Sequence, residues 1–360
     1  MTALSRAAIR RLRVGVVPSW EIERLSVGYS RARIIIGDAL DALLSRDRAT
    51  AMFVRGEWGS GKSHFLSFVS GIAVGRGFAA ARVDLNARSA PLNYPQRFYG
   101  TVVQTLRAGD HIGLRAILHA GLNDEVGRQR IAKFASSRLA DDIAWPLQHL
   151  CTRYEKGDTL QFDDEASWSV LHGEDLSWAD YSYKRIRAIA RIGTLGALMD
   201  ALGHDGLVIA FDEAETIDQL WNIRSRLSAY GVLGQICRLD AVWCVFGITE
   251  RFDRTVNVDI AGGVGEYDFL TADARWFVRE WLADRFVCFE PPAVSRAAAE
   301  RLAAAISQLY GVAYGPLRLP AETIDDCVDE WAANPSKNPR RLVRQVIARL
   351  DAARPIGMLR

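Results

Sequence analysis

The sequence has no apolar run approaching the ~20 residues that a membrane-spanning helix needs. No short apolar block follows its start in the manner of a secretory signal. Its five cysteines, Cys151, Cys237, Cys244, Cys288 and Cys327, include no CxxC pair. That argues against a zinc site or a disulfide framework and fits a reducing, cytoplasmic setting. Charge of one sign is missing too: 45 Lys and Arg stand against 43 Asp and Glu, a net of +2. Composition therefore carries no nucleic-acid footprint, and any basic surface must be local. There is no internal repeat and no low-complexity linker. What is present is ordinary globular composition, 49% apolar and 24% charged, in 360 residues, enough for one large domain or two ordinary ones. The opening MTALSRAAIRRLRVG is Arg-rich and acid-poor, the composition of a transit peptide or of the first amphipathic helix of a soluble protein.

Four short apolar runs bounded by charged or glycine-containing turns read as buried strands: AMFVR (51–55), AAARVDL (79–85), GLVIAFD (206–212) and AVWCVFGI (241–248). A fifth, RFVCFE (285–290), ends at Pro291 and Pro292. Helical stretches lie between them at 62–76, 186–202 and about 219–238. The alternation predicts an α/β sandwich around a parallel sheet with right-handed crossovers. Residues of about 87–205 break the alternation and read as a helical insertion, with the polar stretch EKGDTLQFDDEASW (155–168) as an exposed loop. After Pro292 come three helices, SRAAAERLAAAISQLYG, LPAETIDDCVDEWA with Pro320 near its start, and NPRRLVRQVIARLDAA with Pro339 in its first turn. They predict a C-terminal helical domain over 293–360 beside a core over 1–292.

Residues 56–63, GEWGSGKS, sit between a strand and a helix. A loop of this kind turns its backbone N–H groups inward, glycine lets the chain approach phosphates closely, and the helix N-terminus adds positive potential. Gly56, Glu57, Trp58, Gly59, Ser60, Gly61, Lys62, Ser63 and His64 are thus the expected phosphate-binding stretch. Lys62 is placed to reach the β- and γ-phosphates, and the Ser63 hydroxyl to ligate Mg2+. The strand GLVIAFDEAE delivers two carboxylates at its C-terminal end, where open α/β sheets bind ligands. Asp212 is the expected second metal ligand, and Glu213 the group that polarises an attacking water. An acidic pair after a strand also marks many helix N-termini. No NKxD guanine-reading motif is present, which points to ATP.

The strand AVWCVFGITER ends in Thr249, a hydroxyl able to sense the γ-phosphate or orient the water, or a plain turn residue. WLADRFVCFEPP offers Arg285 as an arginine presented to a neighbouring subunit, with Arg279 and Arg275 as rivals. NPRRLVRQ puts Arg340 and Arg341 in the first turn of a helix, where an arginine can reach back to the γ-phosphate. Arg340, Arg341, Arg344 and Arg349 read equally as a basic face for DNA phosphates.

The order of these parts resembles an AAA+ ATPase of the Orc/Cdc6-like branch, with a P-loop, a DEAE strand, a Thr-tipped strand, an RF box and a helical lid. The combination LRVGVVP, SVGYSRA, FVRGEWGSGKSHFL, GLVIAFDEAE and NPRRLVR is similar to the BREX-system ATP-binding proteins (BrxD-like). The resemblance implies a bacterial cytoplasmic, Mg2+-dependent ATP hydrolase in antiphage defence. It implies a homo-oligomer acting with a helicase or other DNA-processing partner. It also implies adenine contacts at Val27 and Gly28, with Thr249 and Arg340 as sensor residues. A STAND-like nucleotide switch and an Orc/Cdc6-like DNA-binding initiator or loader are the alternatives it leaves open. Lys337 stands where related proteins often have glycine before the NPR, and few residues follow Leu350, which weighs against a DNA-gripping winged helix in this chain.

Overall fold

A computed structural model of the chain describes residues 2–16, 22–45, 51–156, 164–177, 181–262, 271–316, 321–334 and 338–354. The residues 157–163 of the expected polar loop lie outside the described residues, as do Val17, Pro18, Pro320 and Lys337.

Seven strands form one sheet: β1 (Met52–Arg55), β2 (Ala79–Asp84), β3 (Arg107–Ala108), β4 (His111–Ile112), β5 (Leu207–Asp212), β6 (Val242–Ile248) and β7 (Val287–Phe289). Their order is β4-β3-β2-β5-β6-β1-β7. The five strands expected from apolar runs pair in parallel, in the registers Ala79↔Leu207, Leu207↔Val242, Met52↔Val245 and Met52↔Val287. The hairpin β3–β4 extends the β2 edge antiparallel through Ala80↔Arg107. These two-residue strands are too short to show a sequence period, and they lie inside the stretch read as a helical insertion.

Side chains of successive strand residues alternate between two covered faces. Phe53, Ala81, Ile209, Phe211, Cys244 and Phe246 belong to one core, shared with the helices Pro95–Thr105, Tyr181–Ala201, Ile223–Ile236 and Ala272–Leu282. Met52, Val54, Ala80, Val208, Ala210 and Val245 belong to the other, under the helices Ser30–Leu44 and Lys62–Gly75. Burial on both faces is why β5 and β6 read as unbroken apolar runs. The helices Leu114–Asn123, Glu125–Ala135, Ala144–Glu155 and Asp164–His172 extend the first core outward. Within 87–205, then, Pro95–Thr105 and Tyr181–Ala201 act as sheet-covering helices, and the segments between them build the protrusion.

A third core is separate. It joins Leu302, Ile306, Trp331, Leu342 and Val346 of the helices Arg296–Tyr314, Ala321–Ala332 and Pro339–Ala352 to Ala8, Ile9 and Leu12 of the helix Thr2–Arg13. The amphipathic N-terminal helix therefore buries its apolar stripe against the C-terminal helices. Arg13 donates to both carboxylate oxygens of Asp351, at 2.8 and 2.6 Å, and Tyr310 Oη donates to the same group at 2.7 Å. Among the described residues no helix is long and apolar enough to cross a membrane.

Helices Ile223–Ile236 and Ala272–Leu282 cross closely at Gly234, where an added Cβ would come within 2.7 Å of the Asp273 carbonyl carbon. Alanine gains about 1 kcal/mol of helix propensity over glycine, while overpacking costs about 1–3 kcal/mol. The obstacle is backbone, which no rotamer change relieves, so the steric cost wins. Gly234→Ala should lower stability by about 1–2 kcal/mol in urea unfolding; a more stable variant would mean the two helices separate freely.

Candidate nucleotide site

Parallel pairing brings the C-terminal ends of β1, β5 and β6 to one edge of the sheet, with β6 between the other two. The chain after β1 turns at once into the helix Lys62–Gly75. Gly61 caps that helix in the left-handed region, φ 99°, and Gly59 has φ 84°. Side chains are strained at both positions, and a Cβ on Gly59 would also lie 2.6 Å from Asn338 Nδ2. The start of the loop is tied to the neighbouring strand, because Gly56 N donates to Ile248 O at 3.1 Å. Lys62 is buried and curls back into the loop, Nζ donating to the carbonyls of Gly56 at 2.6 Å and Glu57 at 3.3 Å.

At the end of β5, Asp212 is buried and its Oδ1 accepts from Glu213 N at 3.0 Å. Glu213 adopts φ 59°, ψ 37°, a left-handed conformation that costs a non-glycine residue of order 1 kcal/mol. Strain of this kind concentrates at functional sites. The turn aims Glu213 and Glu215 into the same space as Lys62. Burial pushes the Glu213 carboxyl above its ordinary value, with Asp212 and Asp84 adding to the rise and Lys62 and Arg82 opposing it. Burial likewise raises Glu215, against the pull of a backbone hydrogen bond and of Lys62.

Arg82, on β2, knits the two sides together. Its guanidinium donates to Asp212 Oδ2 at 2.7 Å, Ser67 Oγ at 2.6 Å and Ser63 O at 3.2 Å, and pairs with Asp84 at 3.1 Å. Thr249, at the tip of β6, is 1% exposed and its Oγ1 has no hydrogen-bond partner. Ser60 Oγ and Glu215 Oε2 are also buried without partners.

Ser60, Lys62, Asp212, Glu213 and Glu215 border a cavity of about 320 Å3. Its polar wall includes Trp58, Gly59, Ser60, Gly61, Lys62, Ser63, His64, Asp212, Glu213, Glu215 and Arg340. Its apolar wall is supplied by Leu12, Val16, Leu25, Val27, Pro292, Val294, Leu302 and Val343, from the N-terminal helix and its following turns, the exit of β7 and two C-terminal helices. Arg340 packs along Gly15, where a Cβ would sit 2.9 Å from its Cδ. Asn338 caps the Pro339–Ala352 helix by accepting from Arg340 N at 2.9 Å and so brings that helix end onto Gly59.

Of the expected site residues, Gly56, Glu57, Gly28, Thr249 and Arg285 stand outside the cavity lining. Gly56 and Glu57 act through their carbonyls on Lys62, and Gly28 is exposed with φ 85°. Arg285 is remote from the lining, exposed, and pairs with Glu280 at 3.5 Å; Arg279 is similarly exposed against Glu280 at 3.2 Å, and Arg275 lies on the same helix. Trp58, 70% exposed, stands at the rim. His64 contacts Ser26 Oγ at 2.9 Å, and burial pushes its imidazole down to about 4, so the ring is neutral at pH 7. Tyr29, another lining residue, has its phenol pushed up to about 12 by burial. Sequence reasoning missed Tyr29, Arg82 and the apolar wall apart from Val27. No local pattern marks them, although Glu215 stood in plain view within DEAE.

Ser63 and Asp212 offer a hydroxyl and a carboxylate, hard oxygen donors suited to Mg2+ shared with phosphate oxygens. Among the described residues no three His, Cys, Asp or Glu side chains form a metal-ligand set of their own. The residues present fit the ion.

The Arg82–Asp212 pair is half-buried on one side and buried on the other. In a double-mutant cycle with Arg82→Gln and Asp212→Asn, unfolding measurements should give a coupling of about 1–3 kcal/mol. A coupling below about 0.5 kcal/mol would mean the pair is a passive contact.

Residues 2–168 match the family model described as BREX system ATP-binding protein BrxC/D, a span that contains the phosphate loop and Arg82 and ends before β5. No curated protein and no solved structure matches the chain. With the phosphate loop inside the matched span, that stretch of the chain is similar to the BREX-system ATP-binding proteins BrxC/D.

Proposed function

We propose that the chain is a Mg2+-dependent ATP hydrolase of AAA+ type, acting in antiphage defence with a helicase or other DNA-processing partner. One observation carries the reading. Residues 58–64, the Asp212–Glu213 pair and Arg340 are far apart in the chain yet line a single cavity. Phosphate groups, a water and a counter-charge are what such a set handles together.

In this reading the adenine occupies the apolar wall beside Val27, and the triphosphate runs along Gly59–Ser63. Ser63 and Asp212 would hold the magnesium, which would supply charge neutralisation to the phosphates. Lys62 exchanges its contacts with the Gly56 and Glu57 carbonyls for phosphate oxygens. Glu213 accepts a proton from the attacking water as its oxygen bonds to the γ-phosphorus. The bridging P–O bond breaks, its electron pair stays on the β-phosphate of ADP, and the proton passes on to solvent. Thr249 orients the water from the tip of β6, and Arg340 offsets charge from the C-terminal helices. Arg285, exposed and away from the lining, acts in a neighbouring subunit's site within a homo-oligomer.

The capping of the site by Asn338 against Gly59 favours a second reading, a STAND-like switch that holds nucleotide and turns over rarely. DNA contact by Arg341, Arg344 and Arg349, as in an initiator or loader, has only their exposure in its favour.

Turnover of Mg-ATP with and without DNA separates these readings. Glu213→Gln should lower turnover by at least about 100-fold with ATP still bound, and Lys62→Ala should abolish binding. Turnover unaffected by Glu213→Gln rules out its assigned role, and tight nucleotide that never turns over favours the switch. Light scattering under ATP should find an oligomer for the wild-type chain that Arg285→Ala does not dissolve, while its ATP turnover falls at least about tenfold. Monomeric mass in every nucleotide state removes the trans arginine.

A further inference from the structure

Glu215 stands two residues beyond Glu213, on the short 3-10 helix Ala214–Gln219 that packs against β6 and against the helix Glu250–Ala261. Its side chain lines the nucleotide cavity, the residue is only 6% exposed, and Oε2 has no hydrogen-bond partner. Burying a carboxylate oxygen without a partner costs several kcal/mol unless one arrives from outside. The alternative, a structural acceptor for a neighbouring donor, finds no donor at Oε2. The turn carrying it is anchored independently, with Asp218 facing Arg251 at 3.9 Å and Thr216 N donating to Glu213 O at 3.0 Å.

The orphan is not isolated. Ser60 Oγ, Thr216 Oγ1, Asp218 Oδ1 and Thr249 Oγ1 are also buried and unpartnered, and they belong to the segments leaving β1, β5 and β6 at the same edge of the sheet. Unsatisfied oxygens gathered at this edge of the sheet describe a place for water and phosphate. Of those whose residues line the cavity, Ser60 and Glu215, only Glu215 carries a charge. Lys62 is close enough to act electrostatically on both Glu213 and Glu215, so the two carboxylates face the same cation from different depths.

We infer that Glu215 is a second working carboxylate of this site, a positioning residue whose Oε2 accepts a hydrogen bond from the water at the γ-phosphate and orients it for Glu213. The inference rests on the hydrolase reading above. The two carboxylates divide the work by environment. Glu213, half-exposed on a strained backbone, can pass a proton to solvent. Glu215, enclosed and rigid, fixes direction. Its negative charge also sets a limit on ATP affinity, because it stands beside the place of the γ-phosphate, which ADP lacks.

The test compares the wild-type chain with Glu215→Gln and Glu215→Asp, measuring ATP and ADP affinities by calorimetry, steady-state turnover, and the thermal midpoint. Glu215→Gln should lower kcat about ten- to a hundredfold and raise the ATP-to-ADP affinity ratio at least about threefold. It should not lower the thermal midpoint, since an unpartnered buried charge is being removed. Glu215→Asp, which keeps the charge, should hold the affinity ratio near the wild-type value. A merely structural glutamate would lower the midpoint and leave the ratio unmoved, and that result overturns the inference. An unchanged kcat in an active enzyme overturns it as well. A wild-type chain with no turnover sinks the hydrolase reading and with it the water-orienting role, while the affinity ratio still decides whether Glu215 faces the γ-phosphate.

Discussion

Parallel pairing of β2, β5, β6, β1 and β7 is the constraint on which the rest of the molecule depends. Parallel strands all end at the same edge, so the loop after β1, the acid pair after β5 and the hydroxyl after β6 meet without any long-range search. Placing β6 between β1 and β5 sets Thr249 between the phosphate loop and Asp212–Glu213. Such a sheet must be buried on both faces, and the alternation of Met52 and Val54 against Phe53 across two cores is the direct consequence.

The site is two-sided, and the sides come from different cores. Its polar wall belongs mainly to the sheet edge, where buried carboxylates, Lys62 and Arg82 balance one another's charge. Its apolar wall belongs mainly to the helical unit in which Thr2–Arg13 packs with the C-terminal helices. A base seated on Leu12, Leu302 and Val343 and phosphates seated on Gly59–Ser63 would bridge the two units. The two units meet where Gly59 of the phosphate loop lies against Asn338 at the start of the last helix.

Much of this was legible because the signals are local. Continuous apolar runs announce strands buried on both sides, and each of the five expected ones pairs within two residues of its expected limits. The three C-terminal helices announce themselves by period and by Pro339 at a first turn. The hairpin Arg107–Ile112 was illegible, since two residues cannot show a period. So was the division of 87–205, because a helix that covers a sheet and a helix that covers another helix carry the same amphipathic pattern.

By itself, the sequence determined the chemistry available: a glycine loop with Lys62 and Ser63 between strand and helix, two carboxylates at a strand end, and no guanine-reading motif. These are short-range facts, set by backbone conformation over fewer than ten residues. Tertiary structure alone decided that Arg82 holds Asp212, that Glu215 is enclosed while Gly28 is turned outward, and that the N-terminal helix completes the wall opposite. Burial and pairing belong to neighbours brought from afar. A carboxylate reads the same in a sequence whether it ends in water, against an arginine, or facing an empty place.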